Sequence, residues 1–217
     1  PGMSEYEAEA AIDHEFRRGG CAGPAYPTIA ASGANATVLH YIRNDRTMKE
    51  GDLLLVDAGG EYGGYCADIT RTIPVGDSYS GPQREVYETV LTAQKSAIDA
   101  VRPGVTYGEV HMQALASLVP AMIEIGLLEG SVDECMESRT YTDYYMHRTS
   151  HWLGMDVHDL GSYGQDGDRP LEPGMVLTVE PGIYVSEGAD CPEHLRGIGV
   201  RIEDDLLVTD NGAEVLS

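Results

Sequence analysis

The chain has 217 residues, which is enough for one large domain or two small ones with a sizeable buried core. Hydrophobic residues make up 42% of it, so the chain is globular rather than disordered. Its net charge of −22 argues against nucleic acid or an anionic membrane as a partner, because both bind cationic surfaces. No apolar run approaches the roughly 18–20 residues that a membrane helix needs.

The four cysteines, Cys21, Cys66, Cys135 and Cys191, are widely separated and form no Cys-x-x-Cys pair. We therefore expect reduced thiols and a cytoplasmic location rather than a disulfide framework or a zinc–thiolate site. The first residues show no signal-peptide pattern. Because the chain starts at Pro1 rather than at methionine, we expect either a fragment of a longer protein or a domain that works alone.

The first third of the chain is predicted to hold one helix and three strands. A capping box at Ser4 predicts a helix that stops at Gly19. A turn-rich stretch and a short strand at residues 38–41 follow. Residues 52–57 are a stronger strand, and residues 65–75 are its expected hairpin partner, because only a short glycine-containing connection separates them.

The rest of the chain is predicted to hold two helices and then four strands. The helices cover residues 80–101 and 106–126, and Pro120 should kink or shorten the second. The strands are expected as two hairpins, 176–180 with 183–185 and 199–203 with 206–209. This order predicts an α+β fold, one domain over residues 1–217 with a mainly antiparallel sheet and helices on one face.

Four carboxylates in apolar or glycine-rich segments suggest a metal site: Asp57, Asp68, Glu180 and Glu203. Burying one carboxylate without a partner is costly, and several together resist joint ionisation. Two divalent cations would remove both costs. Taken singly the signals are weak, since Asp57 precedes a turn and Glu203 begins an acidic run, whereas Asp68 and Glu180 fall in strand-like segments where acids are disfavoured.

A histidine-rich segment supplies the expected nitrogen ligand. His147, His151 and His158 lie within twelve residues of one another, although a lone histidine is more often structural than functional. The spacing of His147 and His151 fits one helical face, but no glutamate follows His147, so this is not the His-Glu-x-x-His zinc helix. An oxygen-rich set with one histidine suits Mn²⁺ better than a thiolate-seeking metal.

Six short strings along the chain form a recognisable set: Asp-Ala-Gly at 57–59, Asp-Ile-Thr-Arg-Thr at 68–72, His-Trp-Leu-Gly at 151–154, Val-His-Asp at 157–159, Leu-Thr-Val-Glu-Pro-Gly at 177–182 and Gly-Val-Arg-Ile-Glu-Asp at 199–204. These strings closely resemble those of bacterial Xaa-Pro aminopeptidase, also called aminopeptidase P, and the resemblance runs over almost the whole chain. It implies the pita-bread fold, with a mainly antiparallel curved sheet and helices on its outer face.

The resemblance implies two divalent ions, usually Mn²⁺, with Zn²⁺ and Co²⁺ as alternatives. Asp57 and Asp68 are expected to bind one ion. His151 and Glu180 are expected to bind the other. Asp68 and Glu203 are expected to bridge the two ions.

The implied reaction is hydrolysis of the bond before proline in peptides that carry proline second. Water between the ions attacks the carbonyl group, and Glu180 shuttles the proton. Four further side chains are expected to line the substrate site and steady the tetrahedral intermediate: His40, His147, His158 and Arg201. Tyr184 is expected near the proline pocket.

The sequence leaves other functions open. A prolidase would cleave only X-Pro dipeptides with the same metals, and a non-catalytic peptide-binding module would have lost them; methionine aminopeptidase fits the motifs less well. The N-terminal domain usual in the family is absent from residues 1–217, so full activity and homo-oligomerisation are open. Arg148 stands where many relatives have glycine, and the sequence assigns it no role.

Overall fold

The computed structural model describes all 217 residues, with four α-helices and eleven strands. The helices are α1 (Glu5–Arg18), α2 (Gly81–Ala100), α3 (Tyr107–Glu124) and α4 (Val132–Ser138). The strands are β1 (Gly23–Pro24), β2 (Ile29–Ser32), β3 (Leu53–Ala58), β4 (Gly60–Tyr62), β5 (Tyr65–Cys66), β6 (Ile69–Pro74), β7 (Val176–Val179), β8 (Gly182–Tyr184), β9 (Gly199–Arg201), β10 (Asp204–Val208) and β11 (Ala213–Val215).

Each helix starts with a capping box, as the first residues of the three predicted helices indicated. At α1 the backbone N–H of Ser4 donates to Glu7 Oε2 over 2.7 Å. The same exchange at Ser131 starts α4, a helix of 7 residues that the sequence prediction missed. Pro120 does not shorten α3, because the carbonyl group of Ala116 that lacks a helical donor is on the exposed face.

The first sheet holds β2, β3 and β6 in antiparallel pairs, with Asp57 opposite Thr70. The predicted strand at 65–75 is instead two strands, since β5 pairs with β4 and only β6 pairs with β3. The chain breaks there because it passes very close to Gly59. A Cβ atom at Gly59 would lie 1.6 Å from the carbonyl oxygen of Ala67, so only glycine allows this approach.

The two hairpins predicted after residue 175 are wrong. β7 pairs with β10, and β8 pairs with β9, so the two arms run side by side instead of each folding back on itself. The two ladders share one register and are interrupted where Glu180 and Glu203 face each other. Pro181 supplies the interruption, because proline has no N–H for the ladder.

The predicted strand at residues 38–41 is also wrong. These residues form a turn after a short 3₁₀ helix, Gly33–Thr37, and Val38 is 53% exposed. The strand in this region is β2, within the stretch interpreted as turns. Glu5 holds the turn through Tyr41, whose hydroxyl donates to Glu5 Oε2 over 2.8 Å.

The main core lies between the helices and the second half of the sheet. Val86 of α2 and Leu118 of α3 share a buried cluster with Ile183 and Val200, from β8 and β9. A second cluster joins the ends of the same helices to β7 and β10. The predicted α+β class with antiparallel pairing is confirmed.

No helix combines the length and the apolar character needed to cross a bilayer.

Candidate metal centre

The four predicted carboxylates meet at the floor of one cavity of about 540 Å³. Asp57 is at the end of β3, and Asp68 lies just before β6. Glu180 follows β7, and Glu203 precedes β10. Each acid is at or next to the end of a strand, and the antiparallel pairing brings these ends together.

His151 is the nitrogen donor of this cluster. Its Nε2 lies 3.3 Å from Asp68 Oδ2, 3.7 Å from Glu180 Oε1 and 4.0 Å from Glu203 Oε1. Donor atoms of Asp68, His151 and Glu203 all fall within 4.8 Å of one another. Burial alone would lower the pKa of His151, but Asp68 and Glu180 outweigh it and raise the pKa.

Tyr26 ties the two aspartates together, and the sequence prediction missed it. Its hydroxyl is 2.6 Å from Asp57 Oδ1 and also hydrogen bonds to Asp68. A phenol has one proton and can donate to only one of these carboxylates. The second contact needs a proton or a cation beside it. Tyr26 lies between two prolines in a turn-rich stretch, where no periodicity marks it.

Burial makes the charge of this cluster unstable without cations. It raises the pKa of Glu180 to about 7, and it raises the pKa of Glu203 well above its ordinary range with help from the neighbouring carboxylates. Burial and Asp68 also raise the pKa of Asp57, although Arg201 opposes them. Oxygen donors with one imidazole and this excess of negative charge fit hard divalent ions.

Arg201 is fully engaged inside the cluster. Its guanidinium donates to Asp57 Oδ2 over 2.6 Å, to Thr70 Oγ1 over 3.1 Å and to the hydroxyl of Tyr184 over 2.9 Å. Thr70 in turn donates to Glu203 Oε2 over 2.6 Å. Thr70 therefore links Arg201 with Glu203.

Tyr184 lies behind the cavity wall instead of in it, which differs from the predicted contact with substrate. It is 2% exposed and does not line the cavity. Since its oxygen accepts from Arg201, its proton goes to His147 Nε2 over 2.8 Å. His147 then donates from Nδ1 to the carbonyl oxygen of Arg148 over 2.8 Å. Burial lowers the pKa of His147 to about 3, so it stays neutral.

His40 and His158 line the cavity with exposed rings. The ring of His158 packs edge-on against His151, with 4.4 Å between centroids. Burial and the neighbouring His151 lower the pKa of His158, so its ring is neutral at pH 7. These two rings are the histidines free to meet a ligand.

A buried chain of hydrogen bonds supports the histidine segment from behind. Thr149 Oγ1 lies 2.7 Å from the hydroxyl of Tyr145 and 2.8 Å from His111 Nδ1. Tyr145 has no other partner, so it donates to Thr149, which donates to a neutral His111. The carbonyl group of Thr149 also accepts the N–H of Glu180 over 2.7 Å. None of these supporting residues was predicted.

Comparison with known proteins assigns the chain to a family. The sequence profile of metallopeptidase family M24 matches residues 1–210. The chain belongs to metallopeptidase family M24.

Several relatives of this M24 chain are closely similar to it. The Xaa-Pro aminopeptidase of Haemophilus influenzae is 51% identical over 217 residues, which are 100% of this chain and 50% of that protein. The mitochondrial intermediate cleaving peptidase 55 of Arabidopsis thaliana is 40% identical and covers 96% of this chain and 40% of its own. A structure of Escherichia coli aminopeptidase P with the inhibitor Pro-Leu matches with a TM-score of 0.98 and 49% identity, over 100% of this chain and 49% of that one.

These findings confirm the resemblance to Xaa-Pro aminopeptidase and the pita-bread fold. The chain spans about half the length of the curated relatives it matches.

Proposed function

We propose that this chain is the catalytic domain, over residues 1–217, of an Xaa-Pro aminopeptidase that releases the first residue from peptides with proline second. One observation carries the proposal most directly. Donor atoms of Asp68, His151 and Glu203 converge within 4.8 Å at the floor of an open cavity. Two Xaa-Pro aminopeptidases are 51% and 49% identical to this chain.

Five side chains would hold two divalent ions: Asp57, Asp68, His151, Glu180 and Glu203. Mn²⁺ is the proposed metal, because the donors are four carboxylates and one imidazole, with no thiolate among the residues that line the cavity. When bound, such a pair of ions lowers the pKa of water and polarises the carbonyl group of the substrate.

Glu180 is the proposed proton carrier. The attacking water gives its hydroxyl to the carbonyl carbon and its proton to Glu180, which passes that proton to the prolyl nitrogen as the C–N bond breaks. Burial raises the pKa of Glu180 to about 7 in the metal-free chain, and a carboxylate beside the attacking water can take its proton and return it. Positive charge at Arg201 and bound metal would favour its ionised form.

His40 and His158 would bind the peptide backbone and steady the oxyanion, because both line the cavity with exposed rings. His147 and Tyr184 would support the site through their hydrogen bonds rather than contact the substrate. Both nitrogens of His147 are already hydrogen bonded, so substrate contact at either nitrogen requires one of these bonds to break. Arg201 would hold Asp57 and Glu203 in place.

The test is release of the first residue from an X-Pro-Y tripeptide, with and without Mn²⁺, beside an X-Pro dipeptide and an X-Ala-Y tripeptide. We expect Mn²⁺-dependent cleavage of X-Pro-Y, and no cleavage of X-Ala-Y. Cleavage of the dipeptide alone would make the chain a prolidase. Inactivity on every peptide would contradict the proposed activity, and metal analysis would then separate a metal-bound domain that lacks activity from a non-catalytic module.

Variants test the ligand assignment separately. Asp68→Asn and Glu203→Gln should lose bound metal as well as turnover, whereas Asp133→Asn on the exposed first turn of α4 should keep both. Near-native kcat and metal content in either ligand variant would contradict the bridging role. A cytoplasmic location and self-association stay predictions.

A further inference from the structure

Arg148 is a permanent cation in the cavity wall with no partner. Its side chain is exposed, lines the cavity and makes no ion pair or hydrogen bond. The guanidinium of the other arginine in the wall, Arg201, already donates hydrogen bonds to Asp57, Thr70 and Tyr184. Arg148 is thus the cation in the wall that remains free to meet a ligand.

The surroundings of Arg148 differ from the acidic floor. Tyr107 and Tyr163 line the same cavity with ring centroids 4.4 Å apart, and the ring of Trp152 stacks on Tyr163 at 5.3 Å. Ser150 also lines the wall, is 4% exposed and carries a hydroxyl with no hydrogen-bond partner. The same cavity therefore offers a free cation and an aromatic surface besides its acids.

The proposed reaction decides which end of a peptide faces each part. The carbonyl group before proline must lie over the ions, whose charge would balance the four carboxylates of the floor. A carboxylate at the other end of the peptide then lies away from the floor, where the free guanidinium can take it as a two-pronged acceptor. The residue after proline is the part of the substrate that lies farthest from the amine.

We propose that Arg148 binds a carboxylate on the leaving part of the peptide and so sets a preference for substrates that carry one there. The ligand class rests on the proposed function. The carboxylate has two sources, which are the free C-terminus of a short peptide and an acidic side chain after proline. Asp166 lines the same cavity without pairing with Arg148, so it is the acid there that could compete for the guanidinium.

The experiment measures binding by calorimetry in the Mn²⁺-loaded protein. Pro-Leu is compared with its C-terminal amide, and Pro-Asp amide with Pro-Asn amide, so that each pair isolates one source of the carboxylate. We expect the acid of at least one pair to bind about tenfold tighter than its neutral partner in the wild type. Arg148→Gln should abolish that ratio, and Arg148→Lys should keep part of it because the charge remains.

Two variants serve as controls. Arg102→Gln removes an exposed arginine that does not line the cavity, and it should leave the ratio unchanged. Asp166→Asn should raise the ratio, since it removes an acid from the same wall. Equal affinity for acid and neutral ligand in the wild type, or a ratio that survives in Arg148→Gln, would overturn the proposal.

These outcomes are independent of peptidase activity. Cleavage of X-Pro-Y without any Arg148-dependent ratio would sustain the proposed function and reject this role of Arg148. An Arg148-dependent ratio in a protein that cleaves no peptide would sustain this role of Arg148 and reject the proposed function.

Discussion

Glu5 is a buried carboxylate that ties α1 to the turn carrying His40, and Glu5→Gln tests its contribution. Glu5 is 0% exposed. Its Oε1 accepts from the N–H of Ser32 at 2.7 Å, from the hydroxyl of Ser32 at 2.7 Å and from Asn35 at 3.0 Å. Its Oε2 accepts from Tyr41 at 2.8 Å and from the N–H of Arg46 at 2.9 Å.

The geometry sets the size of the effect. Glutamine can keep its oxygen on the three donors at Oε1, but its NH₂ group then faces Tyr41 and Arg46. Tyr41 can turn to Asp45, whose Oδ1 lies 3.2 Å away, whereas the N–H of Arg46 has no second acceptor. An orphaned N–H costs about 1–3 kcal/mol, and loss of charge from the remaining bonds adds to it. We expect a loss of about 3 kcal/mol, or roughly 6–12 °C in melting temperature.

Thermal and urea unfolding at pH 7 measure this loss. Glu15→Gln is the matched control on the same helix, because its ion pair with Arg18 is exposed and should contribute less than about 1 kcal/mol. A loss under about 0.5 kcal/mol for Glu5→Gln would refute the reasoning, since surface substitutions are of that size.

The pH dependence of the same variant gives an independent check. Burial alone would raise the pKa of Glu5, but the hydrogen bonds from Arg46, Asn35 and Ser32 outweigh it and lower the pKa. The stabilisation is therefore complete above the unfolded pKa of about 4.3 and is lost as pH falls through the lower folded value. The difference between wild type and Glu5→Gln should shrink in acid, and a constant difference would contradict the assignment.

Two further predictions concern the metal centre and its support. Chelation should lower the melting temperature more at pH 8 than at pH 6. Burial raises the folded pKa of Glu180 to about 7, so the metal-free fold loses stability as pH rises through that value. Calorimetry that shows no shift in melting temperature at either pH would exclude metal-linked stability. Thr149→Val should cost about 1–3 kcal/mol and lower kcat, because it orphans the buried hydroxyl of Tyr145, whereas Thr149→Ser keeps the hydroxyl. Equal losses in both variants would reject the hydrogen-bond chain.

Local signals in the sequence predicted the elements better than their partners. The capping boxes and apolar periodicity place α1, α2 and α3 within about two residues of their observed ends. The capping box of α4 was equally readable at Ser131 and Glu134, but a helix of 7 residues has too little periodicity to stand out. Strand pairing depends on contacts distant in sequence, so the order of β7 to β10 could not be read from adjacent segments.

In the site, too, local signals in the sequence marked some residues, whereas others depend on contacts that only the fold creates. Asp68 and Glu180 were visible because acids are unusual in strand-like segments, and Asp57 and Glu203 followed from shared context. The residues that support them carry no such mark. Tyr26, Thr149 and His111 are ordinary in composition, and they matter only because the fold brings them beside the acids and histidines.

The breaks in the strand ladders explain why the acids meet at all. At each break the ligand's backbone N–H leaves its own ladder and bonds to another element. Asp68 donates to Asp205 Oδ2 over 3.0 Å, Glu180 to the carbonyl oxygen of Thr149 over 2.7 Å, and Glu203 to that of Thr70 over 3.1 Å.

These bonds join β6 to β10 and β7 to the histidine segment, so the contacts that place the acids also close the fold. Repulsion among ionised acids in the metal-free chain therefore opposes the same contacts. Ions that bind the folded form alone would remove this repulsion and add to the stability of the whole domain, by about 2.7 kcal/mol at a hundredfold excess over Kd.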